Sequence, residues 1–77
     1  MREDLLKRIE TNLKVRLRKP VIRGTRLIVE LILEKLSSGM TPEETQKVYP
    51  FIEVDDIRAA LLYASEFLSL TEEYIIN

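Results

Sequence analysis

Pro20, Gly24, Gly39, Pro42 and Pro50 are the only prolines and glycines in this chain of 77 residues, and they cut it into pieces that admit only short elements and tight links. Proline breaks a ladder or a helix interior, and glycine takes the left-handed turn that other residues avoid. Before Pro20, the stretch Arg2 to Glu10 places Leu5, Leu6 and Ile9 on one side with Leu13 four residues on, the spacing of an amphipathic helix within residues 1–12. From Leu13 the period changes to two. Leu13, Val15 and Leu17 alternate with Lys14, Arg16 and Arg18, as in a strand with one apolar and one basic face. Val21-Ile22 resumes an extended pair, Gly24 offers a turn, and Arg26 to Val29 can extend again. Residues 13–28 therefore read as a basic β ribbon, with pairing across Gly24 as one arrangement.

The remaining breakers delimit three helices. Leu31, Ile32, Leu33 and Leu36 form a wide apolar stripe over 29–38, and Gly39 stands where a left-handed cap closes a helix. Thr41, Pro42 and Glu44 spell a capping box with proline at the first helical position, and Pro50 ends that helix by Tyr49, giving 42–48. Val54, Ile57, Leu61, Ala64 and Leu68, flanked by Ala60 and Phe67, carry the longest clean helical period. That makes 54–69 the central helix, with Asp55 and Asp56 in its first turn and Glu53 as a serviceable cap. The expected fold is mainly α, with a short N-terminal β ribbon and a core built from the three helices of 29–70. Residues 71–77 form a tail, and nothing in 1–77 marks a linker or a second domain.

The chain has no Cys and no His, which removes thiol and imidazole nucleophiles, acid-base catalysis by histidine and zinc sites of the Cys/His kind. Ser37 and Ser38 have no base to activate them, and adjacent Asp55 and Asp56 point about 100° apart on a helix. The expectation is a binding protein without cofactor or metal, and not an enzyme. A single core in so short a chain supplies roughly 3–5 kcal/mol, so a homodimer is the expected source of further burial. No apolar run reaches the roughly 18–20 residues of a membrane span, and Met1-Arg2-Glu3-Asp4 does not open a signal peptide, which makes the cytoplasm the expected location.

The formal charge of -1 conceals an asymmetry. Residues 1–29 hold nine Lys/Arg against three Asp/Glu, and residues 30–77 hold three against ten. Lys14, Arg16, Arg18, Lys19, Arg23 and Arg26 follow one another without an intervening acid, so these six are the candidate nucleic-acid contacts. Two-stranded ribbons enter the major groove of double-stranded DNA, and no aromatic residue interleaves the run to stack on single strands. The third helix is a poorer candidate, because Glu53, Asp55 and Asp56 outnumber Arg58 at the end that a recognition helix presents to the groove. The competing reading of Arg23 and Arg26 is structural, with both paired to acids such as Glu30, Glu34, Asp55 or Asp56.

The string Lys19-Pro20-Val21-Ile22-Arg23-Gly24-Thr25-Arg26, the later Gly39-Met40-Thr41-Pro42-Glu43-Glu44, then Tyr49-Pro50 and Asp55-Asp56-Ile57-Arg58-Ala59-Ala60 together resemble the small prokaryotic family named domain of unknown function 433, over about residues 13–70. The resemblance implies a homeodomain-like, helix-turn-helix-like three-helix core behind a β ribbon, a dimer, and the antitoxin of a toxin-antitoxin pair. The partner it implies is a cognate toxin of the PIN ribonuclease type. Two positions depart from the family pattern: Leu17-Arg18 stands where glycines are usual, and Glu53 where Thr or Ser usually caps the third helix. An arginine suits a plug for a carboxylate-lined toxin site, which makes Arg23 and Arg26 candidate partner contacts as well. Tyr74, Ile75 and Ile76 at the apolar end are the other candidate partner contacts, the competing reading being a tail that folds back on its own core or on the dimer mate. The alternative is a dimeric interaction or scaffold module that touches no nucleic acid.

Overall fold

The structure, a computed structural model, describes residues 2–11 and 19–69. The expected strand alternation over Leu13–Leu17, with Lys14, Arg16 and Arg18, lies outside the described residues, as does the tail with Tyr74, Ile75 and Ile76. Within them the chain is mainly helical with one small antiparallel sheet, in the order α1 (Arg2–Leu6), β1 (Ile9–Glu10), β2 (Val21–Ile22), α2 (Val29–Ser37), α3 (Pro42–Val48) and α4 (Val54–Ser69).

The N-terminal helix is shorter than its apolar spacing suggests. It stops at Leu6, the chain turns through Lys7 and Arg8, and Ile9 enters a strand opposite Ile22 while Glu10 faces Val21. Leu5 and Ile9 are spaced as on a helix, yet Ile9 is buried through the sheet. Five residues of isolated helix cannot repay nucleation, whereas the pairing of two β-branched residues over the core can.

The ribbon also differs from the expected one. The principal partner of β2 is β1, and the pairing across Gly24 is confined to a bridge between Val21 and Ile28, with Ile22 N–H bonded to the Leu27 carbonyl at 3.0 Å and Val29 N–H to that of Pro20 at 2.9 Å. β2 is thus covered on both edges, and Val21 and Ile22 are both buried. Thr25 closes the turn between them. Its hydroxyl donates to the Ile22 carbonyl at 2.7 Å and accepts from Leu27 N–H at 3.0 Å, while Gly24 takes φ +81°.

The helices follow their local signals closely. At the end of α2, Gly39 N–H bonds the Leu36 carbonyl and Met40 N–H that of Lys35, the paired bonds of a Schellman motif with Gly39 at φ +100°. Thr41 and Glu44 form the reciprocal capping box of α3, at 3.1 and 2.9 Å. Thr45 is fully buried, and its hydroxyl is satisfied by the Thr41 carbonyl at 2.9 Å. Gln46 then donates to the Ile52 carbonyl at 3.0 Å, which ties the α3–α4 turn back onto α3.

The core lies where α2, α3 and the N-terminal half of α4 meet the sheet. Ile22, Ile32, Ile52 and Ile57 are almost fully buried, each stabilising by roughly 1.5–3 kcal/mol, and Ala59 and Ala60 let neighbouring elements approach α4 closely. The long stripe of α4 is only half used. Ile57 and Ala60 are buried, but Leu61, Phe67 and Leu68 are exposed. No helix among the described residues is long and apolar enough to cross a membrane.

Candidate functional site

The basic turn that follows β2 holds the described part of the candidate interface. Its backbone is pinned by the β1 and Ile28 pairings and by Thr25, so the side chains at 23 and 26 project from a fixed frame. Arg23 is exposed and donates from Nε to the Lys7 carbonyl at 2.6 Å, a contact that spends one of its five N–H groups. Arg26 is exposed, and its side chain has no bond or ion pair among the described residues. Neither arginine closes on Glu30, Glu34, Asp55 or Asp56 within this chain. Lys19 does pair, at 2.8 Å with Glu30 of α2, so part of its charge is already answered. Lys14, Arg16 and Arg18 lie outside the described residues, and so do Tyr74, Ile75 and Ile76.

The acids at the start of α4 have a partner that the sequence did not single out. Arg8, in the turn between α1 and β1, donates to Glu53 at 2.8 Å and to Asp56 at 3.1 Å, with Asp55 at 3.8 Å. Its guanidinium is held still more firmly in the charged form, first by the bond to Glu53 and then by that to Asp56, against a smaller opposing effect of burial. Asp56 is itself buried and uses its second oxygen to accept from Glu53 N–H at 2.8 Å, the returning half of a capping box. Asp55 also pairs with Arg58 at 3.2 Å. The end of α4 that carried the argument against a recognition helix is therefore occupied in internal contacts, with Glu53 still exposed.

Arg8 gave almost no local sign of this role, since it sits 45 residues from Glu53 and within an expected helix. Phe51 was also missed. It is 62% exposed in the α3–α4 turn and meets Tyr49 edge to face, with centroids 6.2 Å apart. Phe51 shares a concavity of about 390 Å³ with Lys7, Arg8, Arg23, Glu53 and Asp56. A more apolar groove of about 570 Å³ runs between α1 and α4 past Leu5, Leu61 and Leu62, with Arg2, Arg8 and Arg58 beside it. Among the described residues no three carboxylates gather as metal ligands.

The model of one protein family, described as Protein of unknown function (DUF433), matches residues 9–64. The chain belongs to the DUF433 family. The DUF433 match takes in the sheet, α2, α3 and the greater part of α4, and so includes the Arg23–Arg26 turn and the Glu53, Asp55 and Asp56 cluster. It begins one residue after Arg8, the cation that holds that cluster. No curated protein and no solved structure matches this DUF433 chain.

Proposed function

We propose that this protein is an antitoxin-like regulatory binding protein, a cytoplasmic homodimer that sequesters a cognate toxin of the PIN ribonuclease type and contacts double-stranded operator DNA through its basic ribbon. The observation that carries the reading is the state of Arg23 and Arg26. Both are exposed on a rigid turn and pair with none of the described carboxylates, so their charge is available to phosphates or to an acidic partner site. The antitoxin role that the resemblance to this family implies is consistent with that availability of charge. α2, α3 and α4 follow one another as the helices of a homeodomain-like core would, with α3 and α4 as its helix-turn-helix pair. The ribbon remains the better DNA surface, because the start of α4 presents three carboxylates against Arg8 and Arg58.

In the mechanism this implies, Lys14, Arg16, Arg18, Lys19, Arg23 and Arg26 of each protomer lie along a groove, and a dimer doubles the charge. The toxin is engaged by Arg23 and Arg26 and by the tail residues Tyr74, Ile75 and Ile76. Electrophoretic shift of the DNA upstream of the gene tests the first claim: binding that weakens with salt is expected, and no shift at about 50 mM salt sinks it. Copurification with the neighbouring gene product tests the second, and retained toxin after truncation beyond Leu70 removes the tail from the interface.

A second reading, a dimeric scaffold module without nucleic-acid binding, is favoured by the exposed Leu61, Phe67 and Leu68 on α4. A dimer that shows no salt-dependent binding to any DNA would establish it over the first.

A further inference from the structure

The sequence offers no aromatic residue within the basic run, but the fold supplies one from elsewhere. Phe51, in the α3–α4 turn 28 residues beyond Arg23 in the chain, lines one concavity with Lys7 and Arg23. Its ring is mostly exposed and is steadied by the edge-to-face contact with Tyr49, while the next residue, Ile52, is buried in the core. Arg23 is anchored to the Lys7 carbonyl through Nε, and its two terminal nitrogens have no partner among the described residues. The two carboxylates lining the same concavity, Glu53 and Asp56, are both bonded to Arg8, and Lys7 and Arg23 leave its charged lining with one net positive charge.

We propose that Lys7, Arg23 and Phe51 form a site for a nucleotide of a single-stranded nucleic acid, the base lying on the Phe51 ring and the adjoining phosphate between Lys7 and Arg23. A flat π face beside a guanidinium fork and an ammonium is the combination that sequence-tolerant single-strand binders use. An acidic peptide would satisfy the two cations but has no flat group at fixed distance from each charge to cover the ring. The volume of about 390 Å³ is at the small end of ligand sites, as one nucleotide requires. This surface differs from the ribbon proposed for operator DNA and shares only Arg23 with it, so either can fail alone.

The chain has no tryptophan, so Phe51→Trp places a single fluorescent reporter at the site. Titration of that variant with octathymidylate at about 50 mM salt should give saturable quenching, weakened several-fold by a further Arg23→Ala and by rising salt. With a labelled octathymidylate, the Phe51→Ala substitution should lower affinity about tenfold or more relative to the unsubstituted chain, with an unaltered melting temperature. An abasic strand of equal length, or oligoglutamate, should bind at least as poorly as octathymidylate binds the Phe51→Ala variant. Absence of quenching, unchanged affinity in Phe51→Ala, or equal binding of the abasic strand or of oligoglutamate overturns the proposal.

Discussion

Arg8 and the pair Arg23 and Arg26 lie in two turns joined by the contact of Arg23 with the Lys7 carbonyl, and the structure uses them in opposite ways. Arg8 donates to two carboxylates at the start of α4 and fastens the N-terminal turn to the helical body. Arg23 bonds only a backbone carbonyl, and Arg26 bonds nothing among the described residues. A cation that answers a buried acid is part of the architecture, whereas one left in solvent on a pinned turn is available for a partner. Among the described residues, the cations of the N-terminal half are therefore divided between a structural clasp and a candidate contact beside it.

The comparison can be broken at several points. The largest effect is expected from Ile22→Ala, which removes a buried side chain from the strand that both turns flank; a loss of about 2–5 kcal/mol in urea unfolding is expected, and a cost under about 1 kcal/mol would mean that the sheet does not anchor the turns. Arg8→Met keeps the alkyl stem but deletes the ion pairs, and about 1–2 kcal/mol should be lost because Asp56 is left buried without its cation. The pKa of Arg8 is raised on folding, so its share of stability is complete below the ordinary arginine value and is lost only as pH climbs past the folded one. The difference between wild type and Arg8→Met should accordingly stay flat on the alkaline side up to about pH 10.

Thr41→Ala, which opens the capping box of α3, should cost about 1 kcal/mol and leave any nucleic-acid binding untouched. The smallest change in stability belongs to Arg26→Ala, within about 0.5 kcal/mol, while the salt dependence of DNA binding should fall by about one phosphate contact per protomer. A marked loss of stability in Arg26→Ala would place this residue with Arg8 and dissolve the contrast.

The helical boundaries were legible because their causes are local. The Thr41-Pro42-Glu44 box, Gly39 at φ +100° and the bar that Pro50 sets on the residue before it act within four or five positions, and α2, α3 and α4 lie close to where these signals put them. The end of α1 was not legible. Leu5 and Ile9 satisfy a helical spacing, and only the presence of Ile22 across the sheet makes the strand better for Ile9. The candidate site divides in the same way. The run Lys14 to Arg26 is visible as charge, but whether each cation is spent internally depends on partners far along the chain, as with Lys19 and Glu30 or Arg8 and Glu53.

Breakers and caps thus settled by themselves three helices with two short links between them, because backbone geometry at Pro, Gly and the capping residues needs no distant neighbour. The string around Arg23-Gly24-Thr25-Arg26 also marked the family, since side-chain identity is carried by the sequence alone. Only the tertiary structure decided that β1 pairs with β2, that Arg8 holds the acids of α4, that half of the α4 stripe stays exposed, and that Phe51 comes to lie beside Arg23. Those outcomes turn on burial and on charges meeting across tens of residues, and such encounters are fixed by the packing of elements rather than by the order of residues within any one of them.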